Sequence, residues 1–153
     1  MAQLTTAPAT FIDTNVLVYA HDTSEPERHG IAQAVLDHLW ETDSGVLSTQ
    51  VLQEFYSVAT RKLVPPMTPA EAREVVALYS VWRVVRIEPA TILNASHLQE
   101  RHGLAFWDAL VVESARVGGA DRLLTEDMQT GRTFDGVLIE NPFSTSVGAD
   151  GPA

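Results

Sequence analysis

The sequence contains no cysteine in its 153 residues. Disulfides and thiolate metal sites are therefore excluded, and any bound metal would need carboxylate, histidine or water ligands. A membrane-spanning run is also missing, because no segment approaches the roughly 18 consecutive apolar residues of a transmembrane helix. Residues 1–8 lack the basic start and apolar centre of a signal peptide. We therefore expect a cytoplasmic protein that does not bind membranes.

Positive charge is scarce as well. The chain has 10 Lys and Arg residues against 20 Asp and Glu residues, which gives a net charge of −10. This balance is unfavourable for a protein that binds nucleic acid through its overall charge, since such proteins neutralise phosphates with cations. It suits a carboxylate site that holds divalent cations, or a surface that binds a basic protein partner.

Short apolar segments alternate with amphipathic helical segments along the chain. We predict a flexible leader over residues 1–8, one domain over 9–143 and a disordered tail over 144–153. The alternation predicts an α/β fold with three layers, α/β/α, in which helices cover a central, mainly parallel sheet of about four to five short strands. The predicted strands are 9–12, 45–47, 82–87, 120–125 and 137–139, and the predicted helices are 15–20, 26–41, 48–62, 69–80, 89–102 and 106–117.

Asp13 stands between the first apolar strand and a helical segment, and Thr14 and Asn15 follow it. In an open parallel sheet, ligands bind at the carboxyl ends of the strands, where loops and helix N-termini meet. This position makes Asp13 a candidate metal ligand. Helix capping is the alternative, because Asp, Thr and Asn side chains all accept backbone N–H bonds at a helix start.

Three further acids occupy related positions. Asp108 lies in the first turn of a predicted helix beside apolar neighbours, so its carboxylate either needs a partner or metal, or complements the helix dipole. Glu54 borders the apolar face of its helix, where glutamates are common on ordinary helices. Asp127 comes just after a buried strand, a place that turn residues also occupy.

The predicted fold brings these four acids to the same edge of the sheet. Their mutual repulsion would be relieved by one or two Mg²⁺ or Mn²⁺ ions, which prefer oxygen ligands. Such a site suits phosphodiester hydrolysis, because metal ions activate water and offset charge on the phosphate and the leaving oxygen.

Five short motifs around these acids stand in a recognisable order. They are residues 11–15 (Phe-Ile-Asp-Thr-Asn), Glu54 in a helix, residues 106–110 (Phe-Trp-Asp-Ala-Leu), residues 123–129 (Leu-Leu-Thr-Glu-Asp-Met-Gln) with Gly131, and residues 141–143 (Asn-Pro-Phe). The set resembles the PIN-domain ribonucleases, and more narrowly the VapC toxins of bacterial toxin–antitoxin pairs. The resemblance covers residues 9–143.

The resemblance implies an endoribonuclease that depends on Mg²⁺ or Mn²⁺. It implies catalytic and metal-binding roles for Asp13, Glu54, Asp108 and Asp127, and supporting roles for Thr14, Asn15 and Thr125, which would orient carboxylates or water. For the toxins it also implies an RNA substrate, a homodimer and a cognate VapB-like antitoxin.

Several residues near the motifs are left with open roles. Glu126, beside Asp127, is an alternative fourth acid, although alignment of the motif favours Asp127. Arg132 is a candidate phosphate contact, and the alternative for such a cation is a solvated surface side chain. Tyr19, Phe106 and Trp107 are candidates for stacking on bases, although aromatics beside apolar neighbours usually belong to the core.

Other functions compete with the nuclease interpretation. A phosphatase with an Asp13 nucleophile is disfavoured, because Asn15 stands where such enzymes have a second acid and the only lysine, Lys62, follows a helix. A non-toxin PIN-domain nuclease for RNA processing and a catalytically degenerate PIN-like binding module remain as alternatives. A small gene immediately upstream that encodes a DNA-binding antitoxin would favour the toxin interpretation over the RNA-processing nuclease.

Overall fold

The computed structural model of the chain describes residues 8–144. Apart from Pro8 and Ser144, the predicted leader and tail therefore lie outside the described residues. The strands are Ala9–Ile12 (β1), Gly45–Ser48 (β2), Arg83–Val85 (β3), Ala120–Leu124 (β4), Thr133–Phe134 (β5) and Val137–Glu140 (β6). The helices are Thr14–Tyr19 (α1), Pro26–Thr42 (α2), Thr49–Arg61 (α3), Pro69–Tyr79 (α4), Pro89–His102 (α5) and Phe106–Val117 (α6).

The six strands form one sheet in the order β3-β2-β1-β4-β6-β5. All neighbouring strands are parallel except β5, which runs antiparallel to β6. The predicted mainly parallel sheet is confirmed, but the expected number of strands is corrected from four or five to six. The missed strand, β5, has two residues, too few to show an alternating apolar pattern.

The strand order also places the helices. The chain runs from β1 to β2 to β3 in one direction along the sheet, and then returns to β4 on the other side of β1. Because crossovers between parallel strands are right-handed, helices α1–α4 on the outward path and helices α5 and α6 on the return path cover opposite faces. This is the predicted three-layer arrangement. Within residues 8–144, no helix is both long and apolar enough to cross a membrane.

Local signals explain where several helices begin. Proline occupies the first turn of α2, α4 and α5, where its missing N–H costs no hydrogen bond. At α4, the Thr68 hydroxyl accepts from the Glu71 N–H, and the Glu71 carboxylate accepts from the Thr68 N–H. This reciprocal capping box satisfies two backbone donors that a helix start leaves free.

Gly45 of β2 lies against an aromatic cluster formed by Trp40, Tyr79 and Trp82. A Cβ at this position would come within 2.4 Å of the Trp82 ring, which is buried. We therefore expect Gly45→Ala to displace the indole and lower the free energy of unfolding by about 2 kcal/mol. Urea denaturation, monitored by tryptophan fluorescence, measures this loss of stability.

Gly30 provides the matched control, since it lies inside α2 and a Cβ there would meet no atom within 4 Å. Gly30→Ala is expected to raise stability by roughly 0.5–1 kcal/mol, because alanine favours the helix over the unfolded chain. Equal effects of the two substitutions would contradict a steric role for the space at Gly45.

Candidate functional site

The candidate site lies at the carboxyl ends of β1 and β4, the two strands between which the chain reverses its direction along the sheet. At such a point the following loops diverge to opposite faces and leave a crevice between them. Ile12 pairs with Leu124, and the Asp13 N–H donates to the Leu124 carbonyl at 3.0 Å. This register sets Asp13 and Thr125 side by side at the bottom of the crevice.

Asp13 is held by two hydrogen bonds. Its Oδ1 accepts from the Thr14 N–H at 2.7 Å, and its Oδ2 accepts from the Thr125 hydroxyl at 2.9 Å. Burial raises the pKa of Asp13 to about 6; these two bonds oppose the rise, and the charges of Asp127 and Glu54 add to it. Asp13 therefore caps α1 and also presents a partly buried carboxylate whose charge is poorly compensated.

Neighbouring polar side chains fix two more acids. Asn15 Nδ2 donates to Asp127 Oδ2 at 3.1 Å, and the Asp127 N–H donates to the Thr125 hydroxyl oxygen at 3.1 Å. The Thr14 hydroxyl donates to Glu54 Oε1 at 2.6 Å. Each of Thr14, Asn15 and Thr125 thus binds at least one carboxylate of the cluster, the arrangement that orienting residues require.

Asp108 lies in the first turn of α6 and is half-buried. Burial, followed by the charge of Asp127, raises the pKa of its carboxyl group. No donor within residues 8–144 forms a hydrogen bond to the Asp108 carboxylate. Asp108 thus lies near Asp127 with unused acceptor capacity, although its side chain does not line the cavity described next.

An open cavity of about 400 Å³ contains Asp13, Glu54 and Asp127 in its wall. Lys62, at the end of α3, lines the same cavity and is positioned to contact an anion there. The guanidinium group of Arg132 instead lies over the Phe134 ring, with 4.8 Å between Cζ and the ring centroid, and Arg132 does not line this cavity. Lys62 is thus the cation in the wall of this cavity, and the phosphate contact of Arg132 stays a prediction.

Glu126 has partners away from the other acids. Its Oε2 accepts from the Tyr19 hydroxyl at 2.8 Å, and its Oε1 accepts from Arg28 Nε at 3.3 Å. Burial, together with this bond to Glu126, raises the pKa of Tyr19 to about 12, so the phenol keeps its proton. Since Asp127 rather than Glu126 lines the cavity, the geometry favours Asp127 as the fourth acid of the cluster.

The donor set fits a hard divalent cation. Ion pairs within residues 8–144 involve other acids, and none of them neutralises Asp13, Glu54, Asp108 or Asp127. Within the same residues, no three His, Asp or Glu side chains are arranged to bind one ion by themselves. Mg²⁺ is commonly held through only one or two carboxylates, with water and substrate phosphate as the remaining ligands. Carboxylate oxygens without a cationic partner are donors that Mg²⁺ and Mn²⁺ prefer.

Comparisons with known proteins agree with this architecture. A sequence profile described as PIN domain matches residues 10–133, whereas no curated protein matches the chain significantly. The Mycobacterium tuberculosis structure of VapC20, a Sarcin-Ricin loop cleaving toxin, is 23% identical, with 75% of this chain and 87% of that chain covered and a TM-score of 0.58.

Two complexes give similar matches. A toxin-antitoxin complex from Klebsiella pneumoniae is 16% identical, covers 88% of this chain and 98% of that chain, and has a TM-score of 0.64. VapBC2 from Rickettsia felis, bound to a DNA fragment from its promoter, is 18% identical, covers 87% and 98% of the two chains, and has a TM-score of 0.59. At these identities, the structural likeness shows a shared fold.

Proposed function

This chain belongs to the PIN domain family, and we propose that it is a metal-dependent endoribonuclease that acts as the toxin of a toxin–antitoxin pair. The observation that carries the proposal is the group of acids at the point where the sheet reverses. The Thr125 hydroxyl donates to Asp13 Oδ2 and accepts from the backbone N–H of Asp127, and Asp13, Glu54 and Asp127 all line the same cavity.

Each residue of the cluster has a defined part in this proposal. Asp13, Glu54, Asp108 and Asp127 would together hold one or two Mg²⁺ or Mn²⁺ ions, with water and substrate phosphate as the remaining ligands of each ion. When bound, the metal supplies positive charge to the phosphate and lowers the pKa of a coordinated water. Thr14, Asn15 and Thr125 keep the carboxylates in place through the bonds already described. Lys62 would hold a substrate phosphate at the mouth of the cavity.

The antitoxin is proposed to bind a separate apolar groove. A mainly apolar cavity of about 640 Å³ between α3 and α4 is lined by Leu52, Gln53, Tyr56, Arg73, Val76 and Ala77. A groove of this kind accepts the apolar face of an amphipathic helix, and the net charge of −10 favours a basic partner. We also propose a homodimer, which sedimentation equilibrium of the purified chain tests.

The test of the nuclease is cleavage of a fluorescent single-stranded RNA in Mg²⁺ or Mn²⁺ and in EDTA. We expect cleavage that requires the metal and falls by at least about 100-fold in Asp108→Asn, because the variant loses a carboxylate near Asp127. Asp121→Asn is the matched control, since Asp121 is an exposed acid of β4 near the opposite end of the strand.

RNA cleavage that persists in EDTA would contradict the proposed site. Cleavage by Asp108→Asn at the wild-type rate would contradict it as well. Binding of Mn²⁺ by calorimetry separates a nuclease with narrow substrate specificity from a degenerate module. A nuclease binds Mn²⁺ even when the chosen RNA is not cut, whereas a degenerate module binds none. Release of growth inhibition by a co-expressed upstream gene distinguishes a toxin from an RNA-processing enzyme.

A further inference from the structure

A group of side chains beside the candidate site holds Glu126, the acid that precedes Asp127. Its Oε2 accepts from the Tyr19 hydroxyl at 2.8 Å, and its Oε1 accepts from Arg28 Nε at 3.3 Å. Tyr19 belongs to α1 and also lines the acidic cavity, whereas Arg28 belongs to α2. Each oxygen of this carboxylate therefore has a donor, and the two donors come from two different helices.

The Arg28 guanidinium group lies against two aromatic rings. Its Cζ is 5.5 Å from the ring centroid of Tyr19 and 5.9 Å from that of Phe143. The two rings contact each other edge-on, with 5.0 Å between their centroids. Because these contacts restrict the arginine side chain, it donates to Glu126 from a fixed direction. We refer to Tyr19, Arg28 and Phe143 as the Glu126 clamp.

The Asn-Pro-Phe motif after β6 places the Phe143 ring in the clamp. The Asn141 N–H donates to the Thr130 hydroxyl oxygen at 3.2 Å, and the Asn141 side-chain oxygen accepts from the Phe143 N–H at 2.8 Å. Pro142, between them, has a fixed φ. These constraints turn the chain so that Phe143 meets the Tyr19 ring. The motif thus has a structural part beside the acidic site.

The loop after β4, which carries Asp127, depends on side chains for its conformation. Within residues 8–144, neither Glu126 nor Asp127 forms a hydrogen bond from backbone to backbone. The Glu126 N–H donates to Asn15 Oδ1 at 3.4 Å, which is long for such a bond. The Asp127 N–H donates to the Thr125 hydroxyl oxygen, and the Asp127 carboxylate accepts from Asn15. The two bonds to the Glu126 carboxylate are therefore a large share of what holds this loop.

We propose that the members of the Glu126 clamp are positioning residues for the metal site. By holding the Glu126 carboxylate, the clamp fixes the loop and thereby the direction of the Asp127 carboxylate. The two acids are adjacent, so a backbone rotation that releases Glu126 also turns Asp127. A partly exposed ion pair contributes little to global stability, and the main effect of the clamp is therefore on metal binding. The inference deepens the proposed function and rests on it.

The test compares metal binding and loop opening in purified full chains. Glu126→Ala removes both bonds to the clamp, and we expect its Kd for Mn²⁺, measured by calorimetry, to rise about tenfold. In EDTA, the Asp127 amide should exchange its hydrogen about fivefold faster by NMR, because the loop opens more often. For RNA cleavage, kcat should fall while KM stays within about twofold, since the clamp acts on the metal rather than on the RNA. Glu126→Gln keeps one acceptor oxygen and should show a smaller rise in Kd.

Arg28→Ala breaks the same link from the other side and should also raise the Kd for Mn²⁺. The double variant Arg28→Ala/Glu126→Ala should bind Mn²⁺ no more weakly than Glu126→Ala alone, because the effects of residues in one network do not add. Arg101→Ala is the matched control. Arg101 is likewise an exposed arginine paired with an acid, Asp135, and neither residue lines the acidic cavity. The control should leave the Kd unchanged.

Wild-type affinity for Mn²⁺ in Glu126→Ala would overturn the clamp and leave the nuclease standing, as would unchanged exchange of the Asp127 amide. A rise in Kd by Arg101→Ala equal to that by Arg28→Ala would overturn it too, because the effect would then come from net charge. A wild-type chain that binds no Mn²⁺ would overturn the proposed function instead. Faster exchange of the Asp127 amide in Glu126→Ala would still support a clamp on the loop in that case.

Discussion

Asp13→Asn is expected to lower metal-dependent RNA cleavage by at least about 1000-fold and, at the same time, to stabilise the metal-free protein. The first effect follows from removal of the charged oxygen at the centre of the cluster, where a cation and a phosphate would meet. The gain in stability follows from burial of that charge, which is unfavourable in the metal-free protein. Burial raises the pKa of Asp13 to about 6 from an ordinary value of 3.8.

The sign of the stability effect follows from proton binding. Between pH 4 and 6, the folded protein holds a proton on Asp13 more tightly than the unfolded chain does, so the wild-type free energy of unfolding falls as pH rises through this window. Above it, the ionised carboxylate costs up to about 3 kcal/mol. Asparagine carries no charge, and at neutral pH in EDTA the variant should be more stable by about 1 to 3 kcal/mol.

Urea unfolding at pH 4 and pH 7.5 in EDTA measures this difference. The difference in free energy of unfolding between variant and wild type should be larger at pH 7.5 than at pH 4. Added Mn²⁺ should reduce this difference, because it stabilises only the wild type. Asp121→Asn controls for the removal of one negative charge from the whole chain. A variant that is less stable than wild type in EDTA at pH 7.5 would show that the Asp13 charge is well compensated in the fold.

The clustering of the acids was predictable from sequence because it depends on topology. Asp13 and Asp127 follow apolar strands, and Asp108 begins a helix, so any parallel sheet with this order of elements brings them to one edge. The beginnings of α2, α4 and α5 at Pro26, Pro69 and Pro89 were equally predictable from local rules.

What the sequence could not supply was the direction of individual side chains. Glu126 and Asp127 are adjacent, yet one bonds to Tyr19 and Arg28 while the other faces the cavity, and no periodic pattern distinguishes them. The orientation of the Gln50 amide likewise depends on the hydrogen bond that its Nε2 donates to Glu54, one turn later in α3, which leaves Oε1 buried without a donor in residues 8–144. Arg132 looked close to the site along the chain, but its guanidinium group lies over Phe134.

Arg116→Ala is expected to lower the free energy of unfolding by about 3 kcal/mol, the largest loss of stability that we predict from a single side chain outside the candidate site. Its partner Glu113 is only 2% exposed, and the guanidinium group binds both carboxylate oxygens, with distances of 2.9 Å and 2.6 Å. This pairing raises the pKa of Arg116 and keeps it charged.

The expected loss comes from the acid that stays behind. Alanine at position 116 leaves the Glu113 carboxylate buried on α6 without its cation, and removal of one member of a buried ion pair costs more than the pair itself contributes. Thermal and urea unfolding of Arg116→Ala measure this loss, and Glu113→Gln provides a background without the buried charge. In that background Arg116→Ala should cost less than about 1 kcal/mol, as for a largely exposed side chain. An equal cost in both backgrounds would mean that Arg116 stabilises α6 through packing of its aliphatic stem rather than through the charge of Glu113.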